Sequence, residues 1–169
     1  MLMYHPAFDA SHCLYRMVAI LSRVKSNLSW DLLRIIDFYY LFPSELKKIS
    51  PWPSEMREYK AIIASIPSPF EEITNPSRIF FDLQEFQKTA ILELITKGII
   101  DKNKFDSKVV ELIPNSIPTG FLRSVEKDSF VSSKIFEALV KGLPKVELQG
   151  ASGLKKRSKL MEFVYDPKK

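Results

Sequence analysis

The segment from Met1 to Pro43 constrains the fold most, because it holds two amphipathic helix patterns back to back and no glycine. Asp9 or Ser11 is a candidate cap for the first. Leu14, Met17, Val18, Leu21 and Val24 then follow at three- and four-residue steps before Lys25-Ser26-Asn27 closes the pattern. Ser29 caps the second, with Asp31 favouring the positive end of its dipole. Leu32, Ile35, Ile36, Tyr39 and Tyr40 form its apolar stripe, and Pro43 stops it. Trp30, Phe38, Tyr39, Tyr40 and Phe42 crowd this second helix. A buried aromatic removes about 150–250 Å² from water, more than one helix face can cover for all five. Trp30, Tyr39 and Phe42 are therefore candidate partner-interface residues, since interface cores favour such side chains.

Downstream, prolines and glycines punctuate the chain. Ser44–Ile49 reads as a helical turn, Ser54–Ser65 as a helix between prolines, and Pro67–Asn75 as a loop. The longest periodic run, Arg78–Lys97, sets Phe80, Leu83, Phe86, Gln87, Ala90, Ile91, Leu94 and Ile95 on one side, and Gly98 supplies a left-handed stop. Ile99-Ile100, a polar turn over Asp101–Ser107 and a β-branched run over Val109–Ile113 predict a hairpin. Helix, glycine, apolar pair, turn and strand in this order are the signature of a winged helix. Ser124–Gly142 reads as one further helix, and Leu160–Tyr165 as a short strand or docked extended segment. The predicted fold class is mainly α (α-rich α+β): a helical domain over 1–142 with a winged-helix-like centre at about 78–113. A basic C-terminal extension over 143–169, ending in a short strand, packs on it.

The chain of 169 residues is long enough for a core of its own. A single cysteine, Cys13, rules out an internal disulfide and fits a reducing compartment. No signal-peptide pattern and no membrane-length apolar run are visible, so a cytoplasmic protein is expected. The net charge of +5 is concentrated: residues 141–169 hold eight bases against three acids, and the preceding chain is balanced.

Residues that could carry catalysis lack companions. His12 and Cys13 are adjacent and diverge by about 100° on a helix, and a structural zinc site needs four ligands. His5 offers no second cluster. Glu71-Glu72 reads as solvated loop surface, and no phosphate-binding glycine motif is present. The expectation is no enzyme, no catalytic residue, no metal and no cofactor. The run Lys155, Lys156, Arg157, Lys159 is the candidate contact for DNA or for an acidic partner face; alone, four bases give weak, salt-dependent binding. The exposed face expected before Gly98, with Gln84, Glu85, Gln87, Lys88, Glu93 and Lys97, is near neutral and suits protein contact better than phosphate contact.

The head Met-Leu-Met-Tyr-His-Pro-Ala-Phe-Asp, then His12-Cys13, Arg16 and Leu33-Arg34-Ile35-Ile36-Asp37-Phe38-Tyr39 running into Leu41-Phe42-Pro43, carries a family resemblance. Gly153-Leu154-Lys155-Lys156-Arg157-Ser158 followed by Leu160-Met161-Glu162-Phe163 and Tyr165-Asp166 carries it at the other end. Together they resemble middle-component subunits of bacterial ABC-three-component systems, the Lamassu-type anti-phage defence systems. The resemblance implies a small non-catalytic adaptor bridging an SMC/Rad50-like ATPase subunit and an effector subunit, commonly a nuclease. It further implies that the effector is restrained until foreign DNA is sensed, with DNA reached through the complex. The residues also admit a different class, a stand-alone winged-helix DNA-binding transcriptional regulator, which would bind a defined duplex tightly without help.

Overall fold

The computed structural model describes residues 5–162. Three helices form its frame: α1 (Ala10–Arg23), α2 (Trp30–Leu41) and α4 (Pro76–Thr96). The caps explain where each begins. The Asp9 carboxylate accepts the His12 N–H, the Ser29 hydroxyl accepts the Leu32 N–H, and the Asn75 amide oxygen accepts the Arg78 N–H with Pro76 at the first helical position. Both α1 and α2 lie against α4, and every residue of α2 from Leu32 to Tyr39 is buried.

The aromatic helix is satisfied inside the molecule because several elements surround it. Trp30 meets Phe105 edge-on at 5.5 Å, Phe38 lies 6.1 Å from Phe80 of α4, and Tyr40 contacts Phe130 and Phe136 at 4.8 and 5.9 Å. Trp30 and Tyr39 are thus core residues, 7% and 1% exposed, and neither is available to a partner in this fold. That corrects their expected interface role; Phe42, half-buried, keeps an open edge.

Beyond α2 the chain tightens into a 3-10 turn (Pro43–Lys48), a second one (Ser54–Tyr59) and a short α3 (Lys60–Ala64). Met56 departs from helical geometry, so the helix expected over 54–65 is divided. After α4, Gly98 adopts φ +72°, the left-handed stop its position predicts. Ile100 bridges Leu112, and the Asp101 and Ile113 N–H groups donate to Glu111 and Ile99. The pairing expected of a hairpin therefore forms, but its tip is a helix, α5 (Lys102–Asp106), where a polar turn was expected. Asp101 causes this by accepting the Lys104 N–H and capping the turn. The strand β1 (Leu28–Ser29), between α1 and α2, pairs antiparallel with β2 (Val109–Val110), Leu28 opposite Val110 and Ser29 opposite Val109.

The helix expected over 124–142 is broken. α6 (Thr119–Lys127) stops at Asp128, whose carboxylate accepts the N–H groups of Phe130 and Val131. Ser133 then caps α7 (Lys134–Glu137), which continues into a π-helical turn through Gly142. Near the C-terminus the basic run forms α8 (Leu154–Ser158), with Leu154 and Leu160 buried in the same core as the frame helices. Leu160–Glu162 is a 3-10 turn rather than the start of a strand; the rest of that expected segment lies outside the described residues.

Candidate interaction surfaces

At the centre of the frame sits a polar cluster that sequence reasoning does not anticipate. Arg16 of α1 donates to Asp37 of α2 from Nε at 2.6 Å and from Nη2 at 3.2 Å, both side chains fully buried. Gln87 of α4 donates to the same carboxylate at 2.9 Å and accepts from Arg34 Nε at 3.1 Å. The Arg34 guanidinium lies 4.4 Å above the Phe80 ring. One carboxylate thus binds three helices together, and among the described residues no buried side-chain polar atom lacks a partner. Gln87, expected partly on the exposed face of its helix, belongs to this interior.

This cluster also accounts for the residues that looked catalytic. Arg16 Nη1 donates to His12 Nδ1 at 2.5 Å and to the Pro6 carbonyl at 3.3 Å. Burial first, then the neighbouring Arg16 charge, holds the His12 imidazole below its ordinary value of 6.5, which suits a neutral acceptor. Burial, with a smaller push from Asp37, drives the Cys13 thiol well above its ordinary range, away from nucleophilic thiolate. His5 Nδ1 accepts the Ala7 N–H, and its ring stacks on Phe42 at 5.5 Å. Among the described residues no group of three His, Cys, Asp or Glu side chains is placed to hold a metal ion. No helix among them is long and apolar enough to cross a membrane.

An apolar groove opens between the N-terminal 3-10 turn (Pro6–Phe8), the end of α2 and the loop before α4. Its volume is about 450 Å³, and Phe8, Phe42, Ile73 and Ile79 give it an apolar wall. Ring contacts fix that wall: His5 on Phe42, and Phe8 edge-on to Phe86 at 5.6 Å. Phe8 is 44% exposed, and Phe70, on the groove's loop between Pro69 and Glu71, is fully exposed. Glu71 and Glu72 form the rim, exposed and without an ion pair among the described residues. Of the aromatic head, Phe42 alone of the three expected interface residues reaches this surface. Phe8 and Phe70 were missed; an aromatic flanked by Pro and Glu in a proline-bounded loop was the available signal.

The four basic tail residues have separate fates. Lys155 pairs with Asp31 at 2.9 Å. Arg157 donates to the carbonyls of Ser152 and Pro51, both at 2.6 Å, and its own carbonyl accepts the Ser50 N–H at 3.2 Å. These two hold α8 against the body. Lys156 and Lys159 are exposed. A second charged region, two adjoining clefts sharing Arg23, Lys134 and Lys141, is basic. Glu137 binds Lys134 at 2.9 Å and Lys141 at 3.4 Å and Glu58 pairs with Lys145 at 3.8 Å, while Arg23 and Lys25 have no ion pair among the described residues.

Comparison with curated proteins and with solved structures returns no match. The sequence family described as ABC-three component (ABC-3C) system Middle Component 5 matches residues 2–166. A match over nearly the whole chain accounts for both its head and its basic end, and the chain belongs to that family of middle components.

Proposed function

We propose that this middle component is the non-catalytic adaptor of a Lamassu-type anti-phage defence complex in the cytoplasm. In this reading it bridges an SMC/Rad50-like ATPase and an effector nuclease, and restrains the effector until the complex senses foreign DNA. The observation that carries the adaptor role is the apolar groove with Phe8 and Phe70 left in solvent. Aromatic side chains kept in solvent at an apolar groove, beside a well-packed core, suit a protein-binding surface. The histidines and the cysteine add support, since each is engaged in structure. We further read residues 78–113 as a winged-helix-like centre, on the grounds that Ile100 after α4 bridges Leu112 and that β2 within this stretch pairs with β1.

Of the four basic residues, Lys156 and Lys159 are the ones we assign to DNA or an acidic partner face, because Lys155 and Arg157 are spent on internal contacts. The experiment is co-expression of the three components with a tag on the effector. The ATPase should be retained only when this chain is present. Retention without it removes the bridging role, and tight binding of a defined duplex by the isolated chain would favour the transcriptional-regulator reading instead. Within the intact complex, Lys156→Glu with Lys159→Glu should make the salt dependence of DNA binding shallower by about two phosphate contacts; an unchanged slope and affinity leave only the acidic partner face.

A further inference from the structure

We infer that the groove beside Phe8 and Phe42 holds a segment of a partner subunit in which one bulky apolar side chain is flanked by lysine or arginine. The inference rests on the adaptor reading and adds the chemistry of what is held. A cavity of about 450 Å³ lies in the size range of binding pockets and accommodates one large anchor side chain with its backbone. The wall is set before binding, because His5 is stacked on Phe42 and Phe8 is lodged against Phe86, so little order has to be created on docking.

The rim supplies the selection. Glu71 and Glu72 stand side by side in solvent at the groove's edge, and neither is neutralised by a base among the described residues. A partner segment carrying positive charge next to its anchor meets two carboxylates there, whereas an acidic segment is repelled. The clefts around Glu137 carry the opposite balance, Arg23, Lys25, Lys134, Lys141 and Lys145 against Glu58 and Glu137, and would repel a basic segment. A nucleic acid is also the wrong occupant for the groove, because its phosphates would face Glu71 and Glu72.

Two measurements on the co-purified complex test this. Glu71→Lys with Glu72→Lys should weaken association of this chain with its partners about tenfold while leaving its thermal unfolding unchanged. A photo-crosslinking p-benzoylphenylalanine in place of Phe70 should attach to a partner stretch with Lys or Arg adjacent to an apolar residue. Crosslinks confined to this chain would mean that the groove is covered by its own residues, and crosslinks between two copies would mean self-association; either overturns the inference. So does a crosslinked partner stretch without basic residues, or an association indifferent to the charge reversal. If the wild-type chain joins no complex, the adaptor reading itself falls; if the complex forms and only these readouts fail, the groove assignment alone is wrong.

Discussion

Asp37 is the residue on which the frame depends. It faces the Arg16 guanidinium and the Gln87 amide in a fully buried site, and Gln87 in turn holds Arg34. Asp37→Ala leaves a buried cation without its counter-charge and should cost about 3–5 kcal/mol in urea unfolding. Arg16→Met combined with Asp37→Leu should cost less than Asp37→Ala alone, because an apolar pair leaves no charge stranded. Equal losses would show that the ion pair is incidental. His12 adds a pH dependence of definite sign. Its folded value lies below 6.5, so as pH falls through 6.5 the unfolded chain takes up the proton first, and stability is lost down to the folded value. His12→Gln keeps an acceptor toward Arg16 and removes that step. The drop in urea midpoint between about pH 7.5 and about pH 5.5 should therefore be smaller in the variant than in the parent, and an identical drop would contradict the assignment.

Among the elements, the joint between α6 and α7 is the sharpest departure from the sequence pattern. Asp128 stops α6, accepts two backbone N–H groups beyond it, and accepts the Tyr15 hydroxyl of α1 at 2.8 Å. Burial and this hydrogen bond push the Tyr15 phenol up to about 12. Asp128→Ala should cost about 1–3 kcal/mol, since it strands donors at a helix end, and Asp128→Asn should recover part of it; a neutral effect of the alanine variant in chemical denaturation would mean that water replaces the carboxylate without loss. The frame helices were legible because Asp9, Ser29 and Gly98 mark ends with local chemistry that tertiary structure leaves in place; the start of α4 at Pro76, capped by Asn75, lies two residues before the Arg78 expected. The break at Asp128 was not, because residues 124–142 keep a helical apolar period across it and only a side-chain-to-backbone bond interrupts the backbone. The hairpin was half legible: its pairing follows from β-branched runs, while α5 at its tip follows from Asp101 acting as a cap. The groove was legible only through Phe42, since the tertiary fold alone brings Phe8 and the 69–74 loop beside it. Of the buried polar cluster only Gln87 stands on an apolar stripe, Arg16 and Asp37 lie off theirs, and the mutual contact of the three joins residues far apart in the chain.

For the whole molecule, the basic end and the aromatic head resolve into different kinds of surface. The basic end is anchored: Gly153 makes the anchor, because a Cβ there would lie 2.3 Å from the Gln149 carbonyl oxygen, and the tight turn delivers Leu154 to the core. Lys156 and Lys159 face outward, and so does the rimmed apolar groove. Burying a fully exposed phenylalanine such as Phe70 against a partner contributes about 1.5–3 kcal/mol before the costs of association, enough to weaken an assembly measurably when it is removed. The most direct measurement is co-purification of a Phe70→Ser variant with the other components of its system, read beside its thermal unfolding, since Phe70 is fully exposed. The account predicts that the variant unfolds at a temperature close to that of the parent and recovers less of its partners. A variant that keeps full stoichiometric association would contradict it.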